Sequence, residues 1–120
     1  MPVHDDEGLT VDLRPSGEHA VVCTLAGDLD IESLAPAEQV LGEALRSGPA
    51  TLVIDLEQVG FCDSSGLNLL LKVRVDAKAA DVGLRLAAPS APVRRLLELT
   101  GAEAVFELHP SVRAALGEPG

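Results

Sequence analysis

The feature that most constrains this chain is the run Leu52-Val53-Ile54-Asp55-Leu56. Alternate residues of a strand point to opposite faces, so a run apolar at neighbouring positions is greasy on both sides. Such a strand belongs at the centre of a sheet, with further elements covering each face. The cover must come from one domain, since 120 residues leave no room for two. Hydrophobic residues make up 47% of the chain, enough for a core at this size, and aromatics only 2%, so that core is built from Leu, Val, Ile and Ala.

The flanking sequence supplies the cover. Leu9, Val11 and Leu13 alternate with Thr10, Asp12 and Arg14, the period of a half-buried strand. Pro15-Ser16-Gly17 turns the chain into a second strand centred on Val21-Val22-Cys23-Thr24-Leu25, and the two form a hairpin. From Ser33, a plausible N-cap, Leu34, Ala37, Val40, Leu41, Ala44 and Leu45 recur at helical steps until Gly48-Pro49. After the central strand, a second helix runs from Ser64 to Ala80. Val82, Leu84 and Leu86 form a strand, Ser90 to Leu99 a third helix with Pro92 in its first turn, Val105 to Leu108 a short strand, and Pro110 to Leu116 a last helical stretch. The order β-β-α-β-α-β-α-β-α gives an α/β fold: a mixed sheet that opens with an antiparallel hairpin, continues by parallel crossovers, and is packed with about four helices. Residues 1–8 read as a flexible N-terminal segment, 9–117 as the domain and 118–120 as tail.

Charge narrows the partners. Nine basic and nineteen acidic residues leave a net charge of −10, which disfavours nucleic acid and anionic membranes. The acidity either steers the chain toward a basic protein surface or simply keeps it soluble. Met1 to Thr10 has no apolar signal core, and no run approaches the roughly 18 apolar residues of a membrane span, so the expected location is the cytoplasm. Cys23 and Cys62 form no CxxC, and no Cys/His cluster has metal spacing. Neither cofactor nor metal is expected.

The chemistry concentrates at Gly60-Phe61-Cys62-Asp63-Ser64-Ser65-Gly66-Leu67, where the buried strand gives way to a helix. In open α/β sheets function collects at this end of the strands. Asp63 suits the N-cap, which places Ser64 and Ser65 at the first helical positions, near the positive end of the dipole. A phosphate there meets free N–H groups and is tolerated by the fold, yet it adds roughly 1.5 to 2 negative charges beside Asp63. Asp63-Ser64-Ser65-Gly66 also makes an ordinary helix start. Along the helix, Ser64, Asn68, Lys72 and Asp76 form a polar stripe in which Lys72 can pair with Asp76. Leu69, Val73 and Val75 lie beside it as a docking face or as residues that neighbouring helices cover.

The segments Val53-Ile54-Asp55-Leu56 and Val59 to Leu67 resemble the signature of the STAS domain, and more narrowly that of bacterial anti-sigma factor antagonists. Leu25-Ala26-Gly27-Asp28-Leu29-Asp30 and Pro92-Val93-Arg94-Arg95-Leu96-Leu97-Glu98-Leu99-Thr100-Gly101 extend the likeness from about Leu9 to Leu116. The resemblance implies a domain that binds an anti-sigma factor of the serine-kinase type and so frees a sigma factor. It implies phosphorylation of Ser64 by that kinase, expulsion of the antagonist, and a phosphatase that resets it. Asp28 and Asp30 would contact the partner with Asp63, Ser64, Ser65 and Gly66, and Asn68, Leu69 and Lys72 extend the candidate surface. The expected state is a monomer or weak homodimer. Two other readings stand beside this one. A STAS module that is never phosphorylated would serve as a scaffold in a stress-signalling or transport complex. An enzyme would need a base near Ser64, but there is no Gly-x-Ser-x-Gly elbow, and His4, His19 and His109 lie in ordinary contexts, so the chain is read as a non-enzyme.

Overall fold

The computed structural model describes residues 4–6 and 8–118; the expectations for residues 1–3, 7, 119 and 120 lie outside the described residues. The elements in chain order are β1 (His4–Asp6), β2 (Leu9–Ser16), β3 (Ala20–Leu29), α1 (Ala35–Arg46), β4 (Thr51–Cys62), α2 (Ser64–Ala79), β5 (Gly83–Ala87), α3 (Ala91–Thr100), a 3-10 turn (Ala102–Val105), β6 (Leu108–His109) and α4 (Val112–Ala115). The six strands lie side by side in sequence order. β1 to β3 pair antiparallel, and β3 to β6 pair parallel. Each parallel crossover steps the same way along the sheet, so the rule of right-handed connections puts α1, α2 and α3 on one face.

The central run behaves as its composition requires: Leu52, Val53, Ile54 and Leu56 of β4 have no exposed surface. The two faces are unequal, however. Leu52, Ile54 and Leu56 join Leu25, Leu41, Leu70, Leu86, Val93 and Leu97 in the main core under the three helices. Val53 points the other way, into a small cluster with Val22, Ala87 and Ala115 that the short α4 closes. Around that cluster the second face carries Asp12, Thr24 and Asp55, each partly exposed.

Three local expectations change and one open choice is decided. The N-cap of α1 is Leu34, without a side-chain bond, and not Ser33; the Asp30 carboxylate takes the free Glu32 and Ser33 N–H groups instead, each at 3.1 Å. The strand expected at Val105 to Leu108 is a 3-10 turn followed by the two-residue β6, because the left-handed Gly101 (φ 75°) turns the chain and Phe106 must drop into the core. Residues 4–6 form an edge strand on β2 that no periodicity had signalled. Of the two readings for Leu69, Val73 and Val75, cover by a neighbouring helix holds for Leu69 and Val73, each only 4% exposed because α1 lies alongside, while Val75 stays exposed.

Candidate functional site

Where β4 ends, Cys62 pairs with Leu29 at the end of β3. The chain then leaves the sheet at Asp63, whose extended backbone (φ −110°, ψ −171°) stops the strand and opens α2. One carboxylate oxygen of Asp63 accepts the backbone N–H groups of Ser65 (2.9 Å) and Gly66 (3.2 Å). Its carbonyl accepts the first intrahelical bond from Leu67 at 3.0 Å. The cap expected from the sequence is therefore formed.

Gly66 explains how tightly this start is set. A Cβ on it would lie 2.4 Å from the Leu29 carbonyl oxygen and 2.9 Å from Cys62 Sγ, so only glycine lets the helix press against the end of β3. A weak Asp63 N–H bond to the Leu29 carbonyl (3.4 Å) ties the same two ends together. Ser64 stands outside this packing. It is exposed, and among the described residues its hydroxyl has no hydrogen-bond partner. One detail differs from expectation. Because Asp63 already engages the Ser65 and Gly66 N–H groups, a phosphate on Ser64 finds only the N–H of Ser64 itself unclaimed in the first turn.

The β3–α1 loop lies next to this corner. Asp28 is exposed, and its N–H donates to the Gly8 carbonyl. Gly27, just before it, has φ +114°, and a Cβ there would strike the same Gly8 oxygen, so this crossing of chain segments requires glycine. Asp30 is half-buried, and its carboxylate is engaged in the turn that it closes, so its direct role is to shape the loop. On α2, Asn68 and Lys72 are exposed. Lys72 reaches Glu38 of α1 (3.6 Å) instead of the expected Asp76. Leu69 is buried, 4% exposed, and lines the floor of a groove between α1 and α2. The structure thus gathers Asp28, Asp30, Asp63, Ser64, Ser65 and Gly66 at one corner, with Asn68 and Lys72 running away from it.

Three neighbouring residues went unnoticed in the sequence. Ile31 is 72% exposed and Phe61 49%, on either side of the corner, and Leu34 faces the same α1–α2 groove. The signal for Ile31 was its place between Asp30 and Glu32, an apolar residue where the loop is otherwise acidic.

Burial, and secondarily the charge of Asp63, pushes the Cys62 thiol up to about 11. Burial, with Asp12 and Asp55, pushes Cys23 up to about 12. Neither is a thiolate near neutral pH. His19 precedes β3, at the opposite end of the parallel strands from Ser64, and His109 sits two strands from β4, beside Glu107 at 2.7 Å. Among the described residues no group of three or more His, Cys, Asp or Glu could hold a metal ion, and no helix is long and apolar enough to cross a membrane.

Residues 12–115 match the family model of the STAS domain. Over 95 residues the chain is 30% identical to the anti-sigma-F factor antagonist RsfB of Mycobacterium tuberculosis, covering 79% of this chain and 77% of that protein. It is 30% identical to the anti-sigma-B factor antagonist of Staphylococcus aureus over 77 residues, 64% of this chain and 71% of the relative. Among solved structures, an anti-sigma factor antagonist from Mycobacterium paratuberculosis superposes with a TM-score of 0.82 at 29% identity, covering 96% of this chain and 97% of that one.

Proposed function

The chain belongs to the STAS domain family, and from that premise we propose that it is an anti-sigma factor antagonist whose Ser64 corner binds an anti-sigma factor of the serine-kinase type. Phosphorylation of Ser64 by that kinase switches binding off, and a phosphatase restores it. The observation that carries this reading is the free Ser64 hydroxyl on a helix start whose own needs Asp63 already meets. A modification there breaks no internal bond, so the fold has no reason to respond. The partner does. A phosphate adds roughly 1.5 to 2 negative charges beside Asp63 and Asp28, and it fills space that a docked protein needs. The relatives named as antagonists of anti-sigma factors support the same partner class.

The test is to incubate the protein with purified candidate kinases of the histidine-kinase-like ATPase type and ATP, and to read intact mass. One added phosphate is expected on wild type and none on Ser64→Ala. A phosphate retained by Ser64→Ala, or none on wild type with any candidate, would contradict the proposal.

A further inference from the structure

Beside the switch corner a groove of about 250 Å³ runs between the start of α1 and the first turns of α2. Ile31 forms its outer wall, Leu34 and Leu69 its apolar lining, and Ser65 closes the end nearest the switch; Glu38 and its ion-pair partner Lys72 also line it. Its size falls below the roughly 300–1,000 Å³ of small-molecule sites, which suits one side chain better than a metabolite. Glu38 is the acid that lines it, Asp30 and Glu32 flank Ile31 in the chain, and Asp63 holds the Ser65 N–H at its end; among the described residues that line it Lys72 is the one cation.

Ile31 is held there by construction. The Asp30 carboxylate and carbonyl together take the N–H groups of Glu32, Ser33 and Leu34, fixing the turn that lifts Ile31 out of the core. An aliphatic side chain 72% exposed on a locked acidic turn contributes little to packing there.

We propose that this groove receives a large apolar side chain of the anti-sigma factor, flanked by Lys or Arg that meet the acidic rim, and that Ile31 is the specificity-determining wall. The inference rests on the Ser64 corner being the antagonist's binding surface. It adds a second, uncharged anchor that phosphorylation of Ser64 leaves chemically intact. Continuity with the corner through Ser65 and charge complementarity of the rim are what assign this occupant.

The experiment measures binding of each purified histidine-kinase-like ATPase of the host to wild type, Ile31→Ala, Ile31→Lys and Leu99→Ala, with thermal unfolding of all four. Leu99 is the control: it is equally exposed, 74%, but lies on α3 away from the corner. Ile31→Ala should weaken binding about tenfold and Ile31→Lys more, since a cation then faces the partner's cations, while Leu99→Ala stays within about twofold. All unfolding midpoints should agree closely, as all the changes are on the surface. Wild-type binding with Ile31 variants that bind equally well overturns the groove and leaves the antagonist reading standing. So does tighter binding by Ile31→Lys, which would mean an acidic partner face. If no ATPase binds wild type, the antagonist reading falls, and the groove with it.

Discussion

Two serines stand where parallel strands of this sheet hand over to helices, and the protein uses them in opposite ways. Ser64 opens α2 after β4, and Ser90 precedes α3 after β5. Ser90 is itself the N-cap residue, yet it makes no capping bond; its hydroxyl donates to the Val59 carbonyl of β4 at 2.6 Å. It is a half-buried staple between α3 and the central strand. Ser64 is exposed and its hydroxyl bonds to nothing among the described residues, because Asp63, one position earlier, has taken over the cap. A third serine, Ser111, shows the ordinary case, accepting the Ala114 N–H at 3.0 Å to cap α4. A serine at a helix start can therefore cap, staple or stand free, and only the free one can be modified without an internal loss. What frees Ser64 is its neighbours: Asp63 on one side, and Gly66 holding the turn against Leu29 on the other.

That contrast can be broken most forcefully at Gly66. Gly66→Ala places a methyl within 2.4 Å of a backbone oxygen, and the helix start must shift. A loss of about 1–3 kcal/mol in urea unfolding is expected, together with weaker partner binding. Asp63→Ala removes the cap from two N–H groups and should cost about 1 kcal/mol by the same measurement, whereas Asp63→Asn, an equally good cap, should cost far less. Ser90→Ala leaves the Val59 carbonyl without its donor and should also cost about 1 kcal/mol, with phosphate incorporation at Ser64 unchanged by intact mass. Ser64→Ala should give the reverse pattern: stability within about 0.5 kcal/mol of wild type and no phosphate uptake. If Ser64→Ala destabilises as much as Ser90→Ala, the two serines do not differ as described.

Much of this was legible in the sequence because the physics is local. Strands β2 to β5 and the four helices follow from periodicity, and the Asp63 cap follows from residue type at a strand–helix junction. The readings that failed needed knowledge of a neighbour. Leu69 looks outward on a helical wheel and is buried only because α1 arrives beside α2. Lys72 has an acidic residue four positions on, yet it pairs across to Glu38. Ser33 has the chemistry of a cap, but Asp30 takes the local donors first. The strand expected at Val105 yielded to the demand that Phe106 reach the core. Ile31 stood out only as an apolar residue between two acids, and an exposed isoleucine acquires meaning only from the groove beside it.

The central claim is that charge at position 64 removes the partner and leaves the fold alone. Its most direct test is one titration of the anti-sigma kinase with wild type and Ser64→Asp, run beside their urea unfolding curves. The account predicts superimposable unfolding and loss of binding by Ser64→Asp. Binding by Ser64→Asp as tight as wild type would contradict it.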